Sequence, residues 1–96
     1  MNLQSIKDKA KKIFPEIVSI RHHLHAHPEL SMQEKNTSAF IASRLQKLNV
    51  EFETGWAGYG ITAWIKGKNP DKKTIAFRAD MDALPIHSKL SYLELK

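Results

Sequence analysis

Cysteine is missing from this chain of 96 residues. Its absence excludes disulfides and any thiolate ligand to a metal. No apolar run approaches the ~20 residues that a membrane-spanning helix needs. The opening residues, Met1-Asn2-Leu3-Gln4-Ser5-Ile6-Lys7-Asp8, mix charge with apolar side chains and hold no apolar core of a secretory signal. A cytoplasmic location is the expectation these absences leave. No segment repeats another, and none is of low complexity.

What is present is ordinary for a soluble globular protein, with 42% hydrophobic and 26% charged residues. The length suits one small domain, which buries somewhat over ~60% of its unfolded surface and has little stability to spare. Net charge is +5, from 15 basic and 10 acidic residues. Lys7, Lys9, Lys11 and Lys12 form one basic cluster; Lys66, Lys68, Lys72 and Lys73 form another. Such clusters attract nucleic acid or line a solvated face. No aromatic residue interleaves them and no nucleic-acid module signature is present, so the solvated reading is preferred.

Three helices are predicted. Leu3, Ile6, Ala10 and Ile13 recur at helical spacing over 2–13. Pro15 interrupts that pattern and suits the first turn of a second helix, 15–27, which Pro28 ends. Ser31-Met32-Gln33-Glu34 reads as a capping box ahead of a third helix, 32–48. Its inner stripe is Thr37, Ile41, Leu45 and Leu48, and Asn49 stands where a helix stops.

The period then changes to two. Val50, Phe52 and Thr54 alternate with Glu51 and Glu53; Ile61, Ala63 and Ile65 alternate with Thr62, Trp64 and Lys66. Gly55, Gly58 and Gly60 mark a loop between them. Gly67-Lys68-Asn69-Pro70-Asp71-Lys72-Lys73 is a turn by composition. Residues 74–78 read as a third, more central strand, pairing with 61–66 in a hairpin. The expected fold is α/β, three helices and then three strands.

Two constellations bear on chemistry. His23 and His27, within Arg21-His22-His23-Leu24-His25-Ala26-His27-Pro28-Glu29, are spaced i, i+4 and would share a helix face. That spacing can clamp zinc, but Leu24 stands where the H-E-x-x-H signature needs glutamate. The preferred reading is that these imidazoles hydrogen-bond to backbone and carboxylates and pin the helix end to the sheet, with no metal. Asp80 and Asp82 follow the 74–78 strand and would face one way on an extended segment, able to meet a metal or orient a metal-bound histidine. A loop cap, or a salt bridge to Arg78, is the alternative.

Three blocks in order carry a resemblance. The first is Arg21 to Ser31 with Glu34 and Thr37. The second is Gly60, the strand 61–65 and Gly67. The third is Phe77-Arg78-Ala79-Asp80-Met81-Asp82-Ala83-Leu84-Pro85-Ile86. Together they resemble the start of the metal-dependent N-acyl-amino-acid amidohydrolases, the hippurate and auxin-conjugate hydrolase branch of the aminoacylase and carboxypeptidase-like zinc peptidases. The resemblance implies the N-terminal part of a zinc-peptidase-like catalytic domain with an incomplete sheet. It implies hydrolysis of the amide of an N-acyl amino acid, the small-molecule substrate. Two divalent cations of zinc or manganese type would bridge and activate a water, with a glutamate as general base.

Carried over residue by residue, Asp82 stands at the aspartate beside the family's metal site. Asp80 stands where distant relatives place a ligand histidine. His25, His27 and Glu29 carry a structural or supporting role, as does Arg78. The family's own ligands lie in a His-Ala-Cys-Gly-His-Asp segment, a Glu-Glu pair and two further histidines, none of which is in this chain. The expected division is 1–86 as the amidohydrolase part and 87–96 as a divergent tail at a truncation point, inactive by itself. The alternatives are half of a split enzyme completed by a C-terminal chain, or a small basic binding module without catalysis.

Overall fold

A computed structural model describes residues 2–85 of the chain. α1 spans Leu3–Ala26, α2 Lys35–Lys47, β1 Glu51–Trp56 and β2 Gly60–Trp64. The described residues are thus α/β in content, with two helices and one two-stranded antiparallel sheet. The expectation of three helices and three strands is corrected at two places.

The first is Pro15, which lies inside α1 and does not divide it. An internal proline costs about 3 kcal/mol relative to alanine, because it removes one backbone hydrogen bond and crowds the carbonyl four residues back. Starting a fresh helix carries a nucleation factor of ~10⁻³, about 4 kcal/mol. Continuing one helix through the proline is therefore the cheaper course. The ends are closed conventionally. The Asn2 side chain accepts from the Ser5 N–H at 2.8 Å, and Gln4 donates to Asp8 at 3.0 Å. His27 caps the far end at φ −128° and ψ 62°, outside the helical region that a residue ahead of proline avoids.

The chain divides at Pro28 and Glu29, with α1 in one unit and Glu29–Pro85 as the other. No residue of α1 is buried. In the second unit, α2 starts three residues later than the capping box suggested. Met32 has φ 68° and the Gln33 N–H donates to the Leu30 carbonyl at 2.9 Å, so a turn at 31–32 precedes the helix, and Glu34 is itself the N-cap without a side-chain cap bond. The helix closes at Leu48. The Asn49 N–H donates to the Gln46 carbonyl and the Val50 N–H to that of Leu45, both at 3.1 Å, with Asn49 left-handed at φ 57°. That is a Schellman closure. Of the expected stripe, Thr37 is buried and Ile41 and Leu45 are half-buried, but Leu48 lies outside the helix and is exposed.

The second correction concerns strand pairing. β2 pairs with β1, with Phe52 opposite Ala63 and Thr54 opposite Ile61. Phe52 and Ile61 are the half-buried members of that face, and α2 packs on the hairpin. A bulge between Thr54 and Trp56 contains Gly55 at φ 88°. Gly60 sits so close to Trp56 that an added Cβ would lie 2.6 Å from its carbonyl oxygen. Residues 74–78 form no strand. A short turn after Trp56 closes more cheaply than the seven-residue, lysine-rich 67–73 turn. The apolar side chains of 74–78 also find no cover: Ile75 is 78% and Phe77 96% exposed. Among the described residues, no hydrophobic side chain is fully buried.

Candidate functional site

The histidine block occupies the last turns of α1. His23 and His27 stack, ring centroids 4.5 Å apart and planes 28° from parallel. His27 Nδ1 lies 2.8 Å from the His23 carbonyl oxygen. A carbonyl can only accept, so Nδ1 carries the proton and Nε2 holds the lone pair in the neutral ring. His25 and His27 are both exposed.

Glu29, just past the proline, has a more defined place. Its carboxylate accepts from the Asn36 N–H at 3.1 Å and from the Thr37 N–H. These are free donors in the first turn of α2, where the helix dipole also favours an anion. Hydrogen bonding from the Thr37 side chain and then its N–H holds the Glu29 carboxyl below the usual glutamate range. Burial opposes that shift, and Asn36 adds to it. The Glu29 carbonyl oxygen in turn accepts from the Ala83 N–H at 2.8 Å. Two sequence blocks more than fifty residues apart thus meet at Glu29.

Asp80 pairs with Arg78 at 3.0 Å, and both side chains are largely exposed. A pair so placed contributes ~0–1 kcal/mol. Asp82 is exposed, on a segment without regular structure. Among the described residues, no group of three or more histidine, aspartate or glutamate side chains converges as a metal ion requires. By themselves these residues do not fit a two-metal centre. Sequence reasoning missed Asn36 and Thr37 as partners of Glu29. The available signal was a helix start with free N–H groups a few residues downstream of an acid.

No family model matches the chain, and no solved structure does. Individual proteins do. A putative amidohydrolase of Bacillus subtilis is 50% identical over 76 residues, 79% of this chain and 19% of that protein. An N-acyl-L-amino acid amidohydrolase of Geobacillus stearothermophilus is 35% identical over 92 residues, 96% and 25% of the two chains. This chain belongs to the amidohydrolase family. The family's peptidase side matches as well. Thermostable carboxypeptidase 1 of Saccharolobus solfataricus is 41% identical over 95 residues, 98% of this chain and 24% of that protein. The chain spans about a fifth to a quarter of the length of such relatives. No helix among its described residues is long and apolar enough to cross a membrane.

Proposed function

We propose that this chain is the N-terminal part of an amidohydrolase catalytic domain of the zinc-peptidase type, whose complete form hydrolyses the amide of an N-acyl amino acid in the cytoplasm. One observation carries the reading: a protein named for that activity matches 96% of the chain at 35% identity. Residues 1–86 carry the three blocks of the amidohydrolase part. In the complete enzyme Asp82 lies beside a pair of divalent cations, zinc or manganese, with Asp80 as its neighbour and Arg78 in a supporting role. His25, His27 and Glu29 support the surrounding backbone.

The chain by itself does not hydrolyse such substrates. Its described donors do not make a metal centre, and Asp80 already faces a guanidinium. The missing ligands and general base come from further polypeptide. The exposure of Ile65, Ile75, Phe77 and Leu84 fits a continuing chain, or a split enzyme in which a second chain completes the first. Apolar side chains this exposed in one stretch are what a partner or a continuing chain would cover. Neither nucleic acid nor membrane is part of this reading.

The test is the DNA on the 3′ side of codon 96, translated in all three frames. A His-Ala-Cys-Gly-His-Asp segment there supports the proposal: in the same frame it makes this chain a piece of one longer enzyme, and in another frame or past a stop, co-expression of the two pieces distinguishes a split enzyme from a broken one. Absence of any amidohydrolase sequence would leave only a non-catalytic role.

A further inference from the structure

The segment that bears Asp82 has little to hold it. Residues 74–85 belong to no helix or strand. The Arg78–Asp80 pair lies within the segment and is exposed. Among the described residues, the hydrogen bond that ties this segment to the rest of its unit runs from the Ala83 N–H to the Glu29 carbonyl. Glu29 is meanwhile fixed from its other end by the Asn36 and Thr37 N–H groups on its carboxylate.

We infer that Glu29 is a positioning residue for Asp82: its carboxylate, clamped on the first turn of α2, fixes its own peptide carbonyl, and that carbonyl holds the peptide that follows Asp82. The two ends of one residue thereby join a helix start to an acid-bearing loop. Pro28 before Glu29 and Pro85 after Leu84 stiffen the two strands of chain that meet there. A carboxylate suits the task because it accepts from two donors at once, and a charged acceptor makes the stronger bond. The importance of Asp82 rests on the amidohydrolase reading, whereas the clamp does not.

The test is amide hydrogen exchange and a pH titration by NMR on the whole chain, native and Glu29→Gln. The inference expects slow exchange at Asn36, Thr37 and Ala83 in the native chain. In Glu29→Gln, exchange at all three speeds up about tenfold, the equilibrium worth of one hydrogen bond. Amides late in α2, such as Leu45, keep their protection and show that the variant folds. Loss of protection at Asn36 and Thr37 with Ala83 unchanged would overturn the inference. Should the variant not fold, the native titration decides. The Ala83 amide shift then follows the same midpoint as Thr37, below the ordinary glutamate value; an Ala83 shift indifferent to that transition would overturn it. Neither readout depends on hydrolysis, so failure here is distinct from failure of the proposed activity.

Discussion

Replacing Pro15 with alanine tests the helix that carries the histidine block. Pro15 lies well inside α1, a helix of 24 residues with none buried. Local energetics therefore decide its continuity, and packing does not mask them. The proline penalty of about 3 kcal/mol stands against a nucleation cost of about 4 kcal/mol. The one-helix arrangement is then favoured by only about 1 kcal/mol, which leaves roughly one chain in six broken at that point. Alanine removes the penalty and reduces the broken fraction to about one in a thousand. Circular dichroism should show a modest gain in helix, and Cα chemical shifts at Lys12, Ile13 and Phe14 should move further toward helical values. Coil-like shifts at those residues in the native chain, with no gain in Pro15→Ala, would refute the continuous helix and restore a break at Pro15.

Three further outcomes follow from the second unit. The Glu29 carboxyl is lowered when folded, so its stabilising contribution is complete above the ordinary glutamate pKa and is lost as pH falls through the lowered folded value. Thermal melts of native chain and Glu29→Gln should differ near neutral pH and converge in acid; a gap that persists in acid would contradict the clamp. Gly60→Ala forces a Cβ onto the Trp56 carbonyl and should cost about 1–3 kcal/mol. Gly67→Ala, with nothing within 4 Å of the added carbon, should be near neutral in the same melt. Phe77→Ser, at a side chain 96% exposed, should change stability by less than ~0.5 kcal/mol while raising the concentration at which the chain stays in solution. A large loss of stability there would mean Phe77 is packed.

How much the sequence revealed differs from element to element, for physical reasons. The end of α2 was legible because Asn49 and the residues around it make the closure locally. The beginning was not, because its cap comes from Glu29, seven and eight residues away, a spacing that the capping-box pattern at 31–34 does not describe. Period-two alternation identified Phe52 and Ile61 on strands, but alternation does not say which strands pair. Turn geometry after Trp56, set by Gly55, Gly58 and Gly60, decided that. The run at 74–78 has strand composition and lacks a partner among the described residues. For the candidate site, the resemblance rested on Asp80, Asp82 and the histidine block. The link from Glu29 to Ala83 was beyond reach, since it is a tertiary contact between main-chain atoms.

The most direct measurement is hydrolysis of N-benzoylglycine by the purified chain with added zinc or manganese, alone and with a second polypeptide that carries the His-Ala-Cys-Gly-His-Asp segment. The account predicts no release of glycine above buffer from the chain alone, and metal-dependent release once the second polypeptide is present. Turnover by the chain alone, abolished by a chelator, would contradict it.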